Sequence, residues 1–121
     1  MSLLAKLLGK SGEDRAAKFL TKSGYRILER NYKTKTGEID LIALHEGTIV
    51  FIEVKTRSND LFGAPELAVN RRKQIRMIKT ALGYIQRKEF HQVPCRFDVV
   101  AINNADENIT VYKNAFEMEN R

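Results

Sequence analysis

Hydrophobic and polar positions along the 121 residues fall into segments of two kinds, some alternating like strands and some spaced like helices. From Gly37 to Ser58 the chain reads GEIDLIALHEGTIVFIEVKTRS. Two runs rich in β-branched residues, about Glu38 to His45 and Thr48 to Thr56, flank Glu46 and Gly47, which predicts a hairpin. Ile42, Leu44, Ile49 and Phe51 share one face, and Ile39, Leu41, Ala43, Val50, Ile52 and Val54 the other. Both faces are apolar, so these strands are expected in the middle of the fold, covered on both sides. YRILERNY, with Tyr25, Ile27 and Tyr32, predicts a strand before the hairpin. RFDVVAI, from Arg96 to Ile102, and NITVYKNAF predict two more, joined through a polar turn around Asn103 to Asn108.

Two segments have helical character. In SGEDRAAKFLTKSG, Ser11 is placed to cap, Glu13 and Asp14 fall in the first turn, Ala16, Ala17, Phe19 and Leu20 are apolar, and Gly24 terminates. Further on, after a loop containing Gly63 and Pro65, Ile75, Ile78, Leu82 and Ile85 recur at helical spacing behind a capping Asn70. The element order is α-β-β-β-α-β-β, an α/β fold with a mixed central sheet flanked by helices. A chain of this length is expected to form one domain spanning 1–121.

Composition narrows the class. A hydrophobic fraction of 43% excludes wholesale disorder, and the lone Cys95 excludes an internal disulfide and any cysteine-rich metal motif. The opening MSLLAKLLGK is too short to span a membrane and carries no cleavage site, so a soluble cytoplasmic protein with no membrane partner is expected. The net charge of +6 is compatible with a nucleic-acid partner without specifying one. Its distribution says more. Arg71, Arg72, Lys73, Arg76, Lys79, Arg87 and Lys88 follow one another with no acidic residue between them, and Arg72, Arg76 and Lys79 lie about a turn apart. Such a ridge suits phosphate contacts that hold a nucleic acid without reading its sequence, with Lys33, Lys35 and Arg57 as extensions. The alternative is a solvated helix face.

Charge inside the hairpin is harder to explain. With a two-residue loop, Asp40 lies opposite Glu53 and Glu38 opposite Lys55. Directly opposed carboxylates, with Cβ atoms about 4.5–5.5 Å apart, repel, and a hard cation such as Mg²⁺ or Mn²⁺ would offset the cost. A three-residue loop would instead put Asp40 and Glu53 on opposite faces. On spacing alone, an ion-pair cluster neutralised by Lys55 is the competing account. Asp98, within a strand, predicts an ion pair with an arginine, and His45 and His91 read as surface residues.

These residues resemble a known family. GEIDLIALHEGTIVFIEVKTRS, preceded by SGEDRAAKFLTKSGY and followed by a basic helix and RFDVVAI, is similar to the YraN family of small bacterial proteins. More remotely it resembles archaeal Holliday-junction resolvases and the restriction-endonuclease-like, or PD-(D/E)xK, superfamily. The resemblance implies a restriction-endonuclease-like core, Asp40 and Glu53 as metal ligands, Lys55 as catalytic lysine and Glu13 as an additional acid of the site. Ile39 stands where the superfamily name has proline. For Glu13 the alternative is a partner of the helix dipole, which Asp14 would serve equally. Gln74 is either a further site residue or an exposed helix former. The implied activity is Mg²⁺- or Mn²⁺-dependent hydrolysis of phosphodiester bonds in branched or damaged DNA, with DNA ahead of RNA as partner. Cleaving a junction would require a symmetric homodimer, for which the sequence shows no evident face. The alternatives are a nucleic-acid-binding module without turnover and a purely structural role.

Overall fold

A computed structural model describes the backbone of residues 3–57 and 70–118, and the side chains of 11–57 and 70–118. Helix α1 (Leu3–Lys22) is followed by β1 (Arg26–Thr34), β2 (Gly37–His45) and β3 (Thr48–Arg57), then by α2 (Arg71–Lys88), β4 (Cys95–Asn103) and β5 (Ile109–Phe116). This is the expected order. The loop expected around Gly63 and Pro65 lies outside the described residues.

The turn between β2 and β3 is the two-residue one. Glu46 and Gly47 both take left-handed backbone, with φ of 50° and 79°, the conformation whose twist suits adjoining antiparallel strands. His45 therefore pairs with Thr48, and the register continues to Leu41 opposite Ile52. The five strands lie in sequence order, antiparallel except for the parallel pair of β3 and β4, which α2 connects. The sheet is therefore mixed.

Each face of the sheet carries its own core. On one side Ile42, Ile49, Phe51, Phe97 and Val99 pack with Met77, Ile78, Ala81 and Tyr84 of α2. On the other, Leu41, Ala43, Val50, Ile52, Val100 and Ile102 pack with Ala16 and Leu20 of α1. The double cover explains why β2 and β3 are apolar on both faces.

Three expectations are corrected. Helix α1 begins well before Ser11, so Ser11 caps nothing and Glu13 and Asp14 lie within the helix. In α2 the apolar stripe is rotated: Met77, Ala81 and Tyr84 are buried with Ile78, whereas Ile75 and Leu82 are 38% and 47% exposed. The aromatic volume of Tyr84, set edge-on against Tyr32 and Phe51, draws that row inward. Ile39 packs on the α2 side with Ile42, not with Leu41 and Ala43. Its opposite residue on β1, Tyr32, follows Asn31, whose φ of 52° interrupts the strand's alternation there.

Asn70 caps α2 as expected, its side chain accepting the Lys73 N–H at 2.9 Å. Among the described residues no helix is long and apolar enough to cross a membrane.

Candidate active site

The β2–β3 ladder stops one pair short of Asp40 and Glu53. Beyond it β2 stays with β1, through Tyr32 opposite Ile39 and Lys33 opposite Glu38. Meanwhile β3 stays with β4, through Glu53 opposite Val99 and Lys55 opposite Ala101. A wedge opens between the two central strands, with the two acids at its apex. Asp40 Oδ2 accepts the Val54 N–H at 2.8 Å, so the side chain replaces a ladder carbonyl where the strands part. Glu38 accordingly does not face Lys55 as expected; it stands opposite Lys33.

Both helices reach this wedge. In α1, Gly12 lies so close to β3 that a Cβ there would sit 2.5 Å from Thr56 Cγ2, which places the next residue, Glu13, beside the site. The Glu13 carboxyl is pushed up by burial and then by the charge of Glu38, against a hydrogen bond from Asn31. The first turn of α2 supplies Lys73, whose Nζ is 2.6 Å from Glu53 Oε1; Lys55 Nζ is 3.7 Å from the same oxygen. Glu53 is only 5% exposed.

The electrostatics are those of a site short of positive charge at one carboxylate and crowded with it at the other. Burial, followed by the charge of Glu53, pushes the Asp40 carboxyl up to about 7, which the Val54 N–H only partly opposes. Burial and then the adjacent Lys73 charge lower the Lys55 ammonium below the usual lysine range. Burial also weighs against the charged form of Lys73, but its hydrogen bond to Glu53 and that carboxylate's charge outweigh it and raise its pKa.

Among the described residues no three His, Cys, Asp or Glu side chains stand together as a finished ion cage. Two neighbouring carboxylates, one of them pushed up by burial and by the charge of the other, nevertheless fit a hard divalent ion whose other ligands are water and phosphate oxygens.

A cleft of about 730 Å³ has Lys33, Arg72, Lys73 and Arg76 in its wall alongside Glu38, and Lys73 links it to Glu53. Four predicted phosphate contacts lie elsewhere. Lys35 is in the exposed turn between β1 and β2, Lys79 is exposed farther along α2, and Arg57 ends β3, where its carbonyl accepts the Asn104 N–H. Arg71 donates to Gln74 Oε1 at 3.0 Å. Hydroxyls brace the cleft: Thr36 Oγ1 lies 2.8 Å from both Thr34 Oγ1 and Thr80 Oγ1, tying the β1–β2 turn to α2.

Lys73 was expected on the outer ridge, and its contact with Glu53 corrects that. It precedes buried Met77 by four residues and so belongs to the inward row. With the helix phase set by Met77, Ala81 and Tyr84, the sequence would have pointed to it.

A second charged cluster occupies the α1 face. Asp98, fully buried, takes hydrogen bonds from Arg96 Nε at 3.0 Å, Tyr25 Oη at 3.2 Å and the Asn114 N–H at 2.9 Å, so the expected arginine pair is present. His45 is not a surface residue: it is 7% exposed, stacks on Tyr25 at 4.0 Å between ring centroids, and has Nδ1 3.1 Å from Arg96 Nη2. His91 is exposed.

The model of the uncharacterised protein family UPF0102 matches residues 12–102. A UPF0102 protein of Syntrophus aciditrophicus is 49% identical over 112 residues, covering 91% of this chain and 88% of that protein. One from Thermodesulfovibrio yellowstonii is 51% identical over 111 residues, covering 90% and 95%. Among solved structures, a repair endonuclease from Pyrococcus abyssi is similar with a TM-score of 0.38 and 19% identity. That likeness covers 85% of this chain but only 39% of the endonuclease chain, and it is too slight to carry an activity across.

Proposed function

The chain belongs to the UPF0102 family, the grouping to which its YraN-like motifs pointed, and from the site it carries we propose that it is a metal-dependent nuclease hydrolysing phosphodiester bonds in DNA. The observation that supports this reading above others is the wedge between β2 and β3. There the fold brings two acids together at a cost in charge, and Lys73 links one of them to a basic cleft.

Asp40 and Glu53 would hold Mg²⁺ or Mn²⁺, with Glu13 near enough to act on its water shell. The ion, when bound, would polarise the phosphate and lower the pKa of a coordinated water. Lys33, Arg72 and Arg76 hold the phosphate backbone in the cleft. Lys55, whose pKa is lowered by burial and then by the Lys73 charge, orients the attacking water and as the neutral amine accepts its proton. The water oxygen bonds to phosphorus, the bond to the ester oxygen breaks, and that oxygen leaves with a proton from solvent. Branched or damaged DNA is the proposed substrate, and on a junction the enzyme would act as a homodimer.

The assay is incubation with Mn²⁺ on junction, flap, single-stranded and duplex DNA. Cleavage that vanishes in Asp40→Asn is expected, and four intact substrates would sink the reading. One observation favours a second reading, a nucleic-acid-binding module without turnover: Glu53 already has two lysines as counterions without any ion. Under that reading Lys55→Ala leaves every property of the bound complex unchanged.

A further inference from the structure

Lys73 belongs to two places at once. It stands in the wall of the basic cleft with Lys33, Arg72 and Arg76, and its ammonium lies 2.6 Å from Glu53 Oε1. Glu53 is almost wholly buried, and a carboxylate so placed needs a cation beside it. Of the two lysines on that oxygen, Lys55 is the more buried and the more distant, at 26% exposure and 3.7 Å. The Lys73 side chain is 39% exposed and opens to the cleft. Its backbone is fixed, because Asn70 caps the N–H, but its four-carbon stem can swing about that fixed root.

We propose that Lys73 is an exchangeable counterion: its ammonium neutralises Glu53 in the free protein and moves to a nucleic-acid phosphate in the cleft when a divalent cation takes its place. The inference rests on the metal-site reading above and adds a coupling to it. A cation arriving at Glu53 must displace Lys73, and a phosphate in the cleft gives Lys73 somewhere to go. Each ligand therefore strengthens the binding of the other, and by linkage the effect is equal in both directions. Lys73 acts here as a positioning residue. It keeps the acids compact and ion-poor until a substrate phosphate arrives, which confines ion loading to the complex with nucleic acid.

The test is calorimetric titration of Mn²⁺ into the free protein, comparing wild type with Lys73→Met and with Arg76→Met. The second variant removes one positive charge from the same cleft without touching Glu53. Lys73→Met is expected to tighten Mn²⁺ binding by about tenfold or more, and Arg76→Met by no more than about twofold, the effect of a screened distant charge. Equal changes in the two variants, or weaker binding in Lys73→Met, would overturn the proposal while leaving the metal site standing. If Mn²⁺ binds none of the three proteins, with or without a DNA duplex, the metal-site reading itself fails and this inference with it.

A measurement on the unaltered protein guards against a variant that does not fold. The ¹⁵Nζ signal of Lys73 is expected to move on adding Mg²⁺ alone, and again on adding a DNA duplex without metal. Bound Mg²⁺ or bound duplex with that signal unmoved would overturn the exchange.

Discussion

Asp98 and Asp40 are both set into this sheet, and they are treated in opposite ways. Asp98, on the α1 face, is fully buried, yet Arg96, Tyr25 and the Asn114 N–H all donate to it. Asp40, at the apex of the wedge, receives the Val54 N–H and lies beside Glu53, and its carboxyl is pushed up to about 7. A buried charge supplied with every partner it can use is a structural part. One left short, beside a second acid, is the one the proposed function assigns to an ion from outside.

The sharpest way to break the contrast is at Lys55 and Asp98 together. Lys55→Ala is expected to lower cleavage by about 10²–10⁴-fold while DNA affinity stays within about twofold, because the proton acceptor is lost but the phosphate contacts are not. Comparing single-turnover cleavage with fluorescence anisotropy separates the two effects. Asp98→Ala is expected to act on the fold instead, costing about 3–5 kcal/mol in urea unfolding, since Arg96 and Tyr25 lose their common partner inside the protein. Equal losses of stability from Asp98→Ala and Asp40→Asn would erase the distinction.

Asp40 carries a pH signature of its own. The unfolded carboxyl titrates near 3.8 and the folded one near 7, so between them the native state keeps a proton that the unfolded chain has released. Stability contributed by this group therefore falls as pH rises through that window and levels off above it. Asp40→Asn retains an oxygen for the Val54 N–H and has no such proton to lose. Its unfolding free energy is expected to exceed that of the wild type at pH 8, by an amount on the order of 1–3 kcal/mol, and to match it at pH 4. Added Mn²⁺ should reverse the order at pH 8.

A subtler probe is Gly12→Ala, where the new methyl meets Thr56 Cγ2. It is expected to cost about 1–3 kcal/mol and to shift Glu13 from the acids, with Gly12→Ala, Thr56→Ser restoring part of the loss. Smallest in stability is the exposed pair Arg72→Ala with Arg76→Ala, expected to change folding by less than about 0.5 kcal/mol. The same pair should lower the slope of DNA affinity against salt by about 2. Chemical denaturation and anisotropy over a range of salt concentrations measure the two.

Much of the architecture was legible because it is local. Alternation in β2 and β3, a primed turn at Glu46 and Gly47, and a cap at Asn70 are each settled by neighbours within a few residues, and the two-residue loop alone sets the register from His45 opposite Thr48 to Leu41 opposite Ile52. The acids that break the apolar run were visible for the same reason: nothing in a covered strand calls for charge.

What the sequence determined by itself, then, was the set of elements, the register of the central hairpin and the oddity of Asp40, Glu53 and Lys55. The tertiary structure alone decided which row of α2 faces inward, because Ile75 and Leu82 compete with Met77, Ala81 and Tyr84 until a sheet surface selects between them. That choice carried Lys73 from the outer ridge to Glu53. Tertiary packing likewise buried His45, whose partners Tyr25 and Arg96 are distant in sequence. The parting of β2 from β3 beyond Leu41 and Ile52 also lay beyond the sequence pattern, since each strand there follows its other neighbour. Local propensity sets periods and turns; which of two plausible faces is buried depends on long-range packing, and the candidate site lies where those long-range choices meet.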